Sequence, residues 1–176
     1  SWRPRAEYVL PDHFAPAGPD VEIHLLTGPV PEFARAPLQA LVGRVGVRHQ
    51  AVPPENKGAS RIDHWREEVT AHALAVRPDV ITNLFASQWM GEVIATAAQR
   101  SAARSIIRVA GDEIGSRVAL GVYRNDPARH QADLAQERAG FLACDAIIAM
   151  SPWGAERIQK AIGKPTDKVK VCIRGD

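Results

Sequence analysis

The chain has 176 residues, of which 45% are apolar and 24% charged, with 22 Lys and Arg set against 20 Asp and Glu for a net charge of +2. That length accommodates one domain with a real core and is cramped for two. A charge this evenly balanced, with local clusters no larger than "WRPR", excludes the basic stripe of a typical nucleic-acid binder.

No apolar run approaches the ~20 residues that a membrane-spanning helix requires. The opening "SWRPRAEYVLPDHF" lacks the basic-then-apolar plan of a signal peptide. Cys144 and Cys172 are far apart and each sits in an apolar segment, so both read as buried free thiols and not as a disulfide framework or zinc site. These features predict a cytoplasmic globular domain.

Short β-branched runs alternate with helical patterns along the chain. "DVEIHLLTG" (Asp20 to Gly28) predicts a strand entering a Gly-Pro turn, and "VGVRHQAVPP" (Val45 to Pro54) a second strand closed by two prolines. Ser60 is placed to cap the helix "RIDHWREEVTAHALAV", whose Ile62, Trp65, Val69, Ala73 and Val76 fall on one face. "DVITNLFAS" reads as a strand, after which Ser87 caps "QWMGEVIATAAQRSAA". "SIIRVAG" (Ser105 to Gly111) is another strand, whereas "DEIGSRVALGVYRN" shows two glycines and no firm period. Asp126-Pro127 is an N-cap followed by proline at the first helical position. It opens "ARHQADLAQERAGFLACD"; "AIIAMS" is a strand, and Ser151-Pro152 repeats the device before "WGAERIQKAIG". The last strand is "KVKVCI".

Strands separated by helices of this length need crossover connections, so the sheet should be mostly parallel, with helices on both faces. The predicted fold is a doubly wound, Rossmann-like α/β domain. In such sheets ligands sit beyond the carboxyl ends of the strands. The candidate positions are therefore Thr27-Gly28, Ser87-Gln88-Trp89, Gly111-Asp112-Glu113, Ser151-Pro152-Trp153 and Arg174-Gly175-Asp176.

Neither G-x-G-x-x-G nor G-x-x-x-x-G-K-[ST] occurs, which argues against a self-contained dinucleotide enzyme or a P-loop enzyme. The absence of G-x-S-x-G argues against an α/β-hydrolase. His64, Glu68 and His72 are spaced i, i+4, i+8, but that span exceeds two helical turns, and packed or surface histidines explain them better than a shared metal. Asp112 and Glu113 follow a strand end and a glycine, where a carboxylate could act as a base or bind sugar hydroxyls, or else line a solvated turn. Arg108, inside an apolar strand, needs a partner, for which Asp112, Glu113 and Glu137 are the candidates. Ser87 and Ser151 are accounted for by capping. Trp89 and Trp153 lie near the expected cleft rim, where an indole can stack on a sugar or pack against the sheet edge.

The C-terminal third, "ERAGFLACDAIIAMSPWGAERI" followed by "DKVKVCIRGD", resembles the end of the N-terminal domain of GT-B glycosyltransferases of the family 4 type. Cys144-Asp145 stands for that family's Ala-Asp pair, Ala146 to Ser151 for its strand, and Val169 to Asp176 for the segment crossing to a second Rossmann-like domain. "IIRVAGDE" is similar to the family's strand beside the acceptor site, and "DVEIHLLTG" to its "H-E-V-x-V-L-T-G" segment. The resemblance covers roughly residues 20 to 176. Where the family often carries a histidine, Ala110 or Gly111 stands here, and Asp112 is the nearest substitute.

The resemblance implies that residues 1–176 form a single acceptor-binding domain ending at an inter-domain hinge near 168–176, with the donor domain outside the chain. It implies transfer of a sugar from a nucleotide-sugar to an acceptor hydroxyl, with a sugar, glycan or lipid-linked acceptor and no metal or other bound cofactor. The nucleotide-sugar would be a co-substrate held mainly by the other domain. It places Asp112 at the reacting hydroxyl, Arg108 and Glu113 as orienting residues, and Ser87 and Trp89 on the acceptor wall. Peripheral contact with the inner membrane face stays open. The alternatives are a stand-alone flavodoxin-like binding or regulatory module and a sugar-nucleotide 2-epimerase.

Overall fold

A computed structural model of the protein describes residues 21–42, 47–55, 60–83 and 89–172. The chain divides into two compact units, Ser1–Gly58 and Ala59–Asp176. The fold is α/β and Rossmann-like, with parallel strands flanked by six helices among the described residues.

In the first unit, β1 (Ile23–Thr27) and β2 (Val47–Ala51) pair in parallel, with Ile23 opposite Val47 and Thr27 opposite Ala51. Between them runs α1 (Glu32–Val42). This helix is not foreseen from the sequence pattern, because Pro37 falls inside it and removes a backbone donor. Its first turn starts at Glu32, a carboxylate suited to the positive end of the helix.

The second unit begins with α2 (Arg61–Val76), capped by the Ser60 side chain as its sequence predicts. There follow β3 (Val80–Thr82), α3 (Met90–Ser101), β4 (Arg104–Val109) and the short α4 (Glu113–Ala119). The chain continues with α5 (Pro127–Ala143), β5 (Ala146–Ala149), α6 (Pro152–Ile162) and β6 (Val169–Val171). The strands form one parallel sheet in the order β3-β4-β5-β6. Both cap-plus-proline signals form as predicted. Asp126 Oδ1 accepts from Arg129 N at 2.9 Å, and Ser151 Oγ from Gly154 N at 3.0 Å.

Strand β4 alternates sharply: Ser105, Ile107 and Val109 are buried, while Ile106 and Arg108 are half-buried. The buried set meets Phe141 and Cys144 of the α5 end, Ile147 and Ala149 of β5, and Ala155, Ile158 and Ile162 of α6. The α6 residues recur at i, i+3 and i+7, the spacing that gives a helix one apolar face. Cys144 donates its thiol to the Gly91 carbonyl at 3.4 Å, and burial pushes the thiol up to about 11. It is a core residue with little thiolate at neutral pH. Cys172, predicted to be buried, is instead exposed. The reason is that β6 is a three-residue strand paired on one side only, and Cys172 lies just past its end.

Two local contacts hold this layer together. The first is the crossing of α3 and α5, where Gly91 and Gly140 meet. A Cβ on Gly91 would stand 2.9 Å from Gly140 Cα and 3.0 Å from Ile107 Cδ1. The first of these is backbone and cannot rotate away. The second contact is at the start of β5. Asp145 Oδ2 accepts from both Ser105 N and Ser105 Oγ at 2.8 Å, while Asp145 N donates to Ser105 Oγ at 2.9 Å. The Ser105 backbone and side-chain donors hold the Asp145 carboxyl below its ordinary value, with Arg104 adding to the effect.

Replacing Gly91 with Ala gains little helix propensity so near the N-terminus of α3 but overpacks the crossing. Chemical denaturation should show a loss of about 1–3 kcal/mol; an unchanged midpoint would remove the crossing as a constraint. For Asp145 the sign follows from its lowered folded pKa. Its contribution is present above the unfolded value and is lost as pH falls through the folded one. The stability gap between wild type and Asp145→Asn should therefore be widest above about pH 5 and close progressively below about pH 4, as measured by denaturation at a series of pH values.

Candidate functional site

The loops at the carboxyl ends of β4 and β5 bring together residues from three helices. Strand β4 ends at Val109, and Asp112 follows as the N-cap of α4, its Oδ1 accepting from Gly115 N at 2.8 Å. A Cβ at Gly115 would lie 2.2 Å from Asp112 Oδ2, so a side chain there would force the carboxylate to move. Asp112 Oδ1 also faces Arg157 Nη1 of α6 at 3.4 Å. Arg157 in turn forms a two-pronged pair with Glu137 of α5, Nη1 to Oε2 and Nη2 to Oε1, both at 3.1 Å.

Glu137 is only 5% exposed. A carboxylate so deeply buried is tolerable because a planar guanidinium meets both of its oxygens at once. The same Arg157 reaches Asp112, so one cation holds α5, α6 and the post-β4 loop in register. Asp112 Oδ2 takes no hydrogen bond among the described residues, and Asp112 is half-buried beside the exposed Gly111. Trp153, one helical turn before Arg157 on the same face of α6, is 61% exposed.

The expected site residues fare differently. Asp112 stands at the strand end, as its position predicts. Glu113 pairs with Arg117 at 2.6 Å within α4. Arg108 is placed with its Nε 3.3 Å from Met150 Sδ, and its backbone N and O both bond to the side chain of Asn83, at 2.8 and 3.0 Å. Glu137, a predicted partner for Arg108, is taken by Arg157. Trp89 packs against Trp65 with ring centroids 6.4 Å apart, and the Arg61 guanidinium lies 5.8 Å from its ring. Ser87, Gln88 and Arg174-Gly175-Asp176 lie outside the described residues.

Two participants were not foreseen. Asn83, buried at the end of β3, clamps the β4 backbone next to the site. Arg157 was hidden because a lone arginine in a helix reads as surface; the signal was Glu137, an acid on the inward stripe of α5 with Gly140 and Phe141. His64, Glu68 and His72 are all half-buried along α2. No group of three or more His, Cys, Asp or Glu that could hold a metal is found among the described residues. No helix among them is long and apolar enough to cross a membrane.

In the first unit a cavity of about 580 Å³ opens between α1 and β2, lined mainly by apolar residues with Arg35, Gln39 and His49. His49 Nε2 is hydrogen-bonded to Thr27 Oγ1 at 2.9 Å. None of the carboxylates at the strand ends lines this cavity, so its size does not make it the centre of the chemistry. The convergence of Asp112, Arg157 and Glu137 is the better candidate. No protein-family model matches the chain, and no curated protein matches it.

Removing Arg157 while leaving Glu137 buried should cost about 3–5 kcal/mol. Arg157→Leu combined with Glu137→Leu should recover most of that loss. A double-mutant cycle by chemical denaturation tests this; additive losses would mean that the two side chains do not act as a pair.

Proposed function

We propose that the chain is the acceptor-binding half of a GT-B, family 4-like glycosyltransferase, which moves a sugar from a nucleotide-sugar to an acceptor hydroxyl. The observation that carries this reading is Asp112: a half-buried carboxylate at the carboxyl end of a parallel strand, held by Arg157 through one oxygen while the other takes no hydrogen bond among the described residues. That second oxygen is available to accept from an acceptor hydroxyl. Fixing a carboxylate in advance in this way favours a single acceptor orientation and lowers the cost of binding. Arg108 precedes the loop on β4, bonded to Asn83 and beside Met150, and Glu113 opens α4, paired with Arg117; in this reading both orient the acceptor around Asp112. The exposed Trp153 offers an apolar face on which a sugar ring can stack. In this reading Trp89 would belong to the acceptor wall, as would Ser87, which lies outside the described residues. The resemblance of "ERAGFLACDAIIAMSPWGAERI" to the family supports the assignment.

In this reading no metal or resident cofactor takes part in this half. The donor diphosphate is held by helix termini and basic groups of the partner domain. The protein works in the cytoplasm.

A second reading, a flavodoxin-like binding module without catalysis, is favoured by one specific fact. Capping of α4 and the Arg157 contact already give Asp112 a complete structural role.

Asp112→Asn keeps the cap and the shape but removes the charge. In the intact enzyme, nucleoside diphosphate release from a panel of nucleotide-sugars should fall about 100-fold or more with the variant, while its thermal midpoint moves little. Unchanged turnover would exclude Asp112 from the reaction. A protein with no release on any donor, but with saturable acceptor binding, would be the binding module.

A further inference from the structure

The cavity of the first unit lies where the residues of α1 depart from what helix-on-sheet packing requires. Arg35, Leu38, Gln39 and Val42 recur at i, i+3, i+4 and i+7, so they share one face of the helix, and all four line the cavity. A helix that closes on a sheet carries apolar residues at such positions, as α6 does with Ala155, Ile158 and Ile162. On α1 two of the four are long and polar, and Leu38 alone of them is buried. The helix therefore does not close on the strand, and a space is left between them.

The opposite wall is β2. Alternate side chains of a strand point to one side, and His49 and Ala51 both line the cavity. The neighbouring Arg48 does not line it and pairs with Glu22. His49 is oriented by Thr27, whose Oγ1 is hydrogen-bonded to Nε2 at 2.9 Å. That contact engages one ring nitrogen and holds the imidazole at the cavity wall. No acid among the described residues lines the cavity.

Size, lining and charge define the ligand. A volume of about 580 Å³ falls within the range of small-molecule sites, which combine mostly apolar walls with a few polar groups. The polar groups here are a guanidinium, a carboxamide and an imidazole, all able to donate hydrogen bonds. An arginine fork meets the two oxygens of a carboxylate in parallel, a match stronger than a neutral hydrogen bond. A dianionic phosphate would leave one charge unmatched by a single arginine. We propose that this cavity binds a small monocarboxylic acid with a compact apolar body, its carboxylate at Arg35 and His49 and its apolar part against Leu38, Val42 and Ala51. Every lining residue belongs to the first unit, and binding here is independent of the glycosyltransferase reading.

The test is a titration of the isotopically labelled 176-residue chain, followed by its amide NMR shifts, with phenylbutyrate, the uncharged phenylbutanol and the cationic phenylbutylamine. A ligand of about twelve heavy atoms at ordinary ligand efficiency should saturate in the millimolar range or below. The expected result is saturable shifts from phenylbutyrate centred on α1 and β2. The alcohol and the amine should bind at least tenfold more weakly, the scale of one charge-assisted hydrogen bond. Arg35→Gln should weaken phenylbutyrate by a similar factor and leave phenylbutanol unchanged. Gln39→Trp fills the cavity and should weaken phenylbutyrate at least tenfold as well. Both positions are exposed, and unchanged thermal midpoints would show that the variants fold. No saturable shift, shifts centred elsewhere, equal affinity for acid and alcohol, or acid affinity indifferent to Arg35→Gln would each overturn the proposal. So would self-association of the unliganded chain that Gln39→Trp abolishes, which would make this face of α1 an interface between copies.

Discussion

The pairing of Glu137 with Arg157 is the interaction on which the carboxyl edge of the second unit depends. A carboxylate as buried as Glu137 would be strongly unfavourable alone, because removing a charge from water costs several kcal/mol even after relaxation. The guanidinium offsets that cost only when both oxygens are met at once, as they are here at 3.1 Å each. That requirement fixes the rotation of α5 and α6 about their own axes. Once α6 is fixed, its Arg157 has one remaining direction for Nη1, and Asp112 lies along it. The geometry of the candidate site is thus set by a pair of residues one layer behind it.

The same stripe of α5 serves the rest of the layer. Glu137, Gly140 and Phe141 are its buried residues. Phe141 enters the apolar core, and Gly140 allows α3 to approach until backbone nearly touches backbone. Without that approach, α5 would stand away from α3 by the thickness of a side chain, and Glu137 would move with it. Close packing and the buried ion pair are therefore coupled through one helix. The Ser105–Asp145 contact does comparable work at the opposite end of the strands, by setting β5 against β4 before the first ladder pair, Ile106 with Ala146.

Much of this was legible in the sequence because it is local. Asp126-Pro127 and Ser151-Pro152 announce helix starts through the chemistry of three or four residues, and both helices begin there. The apolar run "AIIAM" marks β5, none of whose residues is exposed. What was not legible depended on distant partners or on weak local preference. The stretch from Asp112 to Asn125 contains a real seven-residue helix, but it buries Ile114 while Val118 and Leu120 lie exposed, so apolar residues at helical spacing do not mark one buried face. Helix α1 was masked by Pro37. The choice of Arg157 over Arg108 as the partner of Glu137 is a matter of three-dimensional direction, which spacing alone does not encode. Cys172 looked buried because its neighbours are apolar, yet an edge strand of three residues has too little cover to bury it.

Helix α4 joins the strand-end carboxylate Asp112 to the exposed turn that follows Ala119. Its N-terminal end is pinned by Asp112 to Arg157, and its C-terminal half by Arg117 and the following Tyr123 to Asp133. Burial, followed by the bond to the Asp133 carboxylate, holds the Tyr123 hydroxyl above its usual value, so this anchor keeps its donor proton across the physiological range. A helix of two turns fastened at both ends moves as a rigid piece. Any displacement of the turn at Leu120 relative to the sheet must strain the Asp133 anchor, tilt Asp112, or both. The exposed turn at Leu120 and the strand-end carboxylate are therefore mechanically one element.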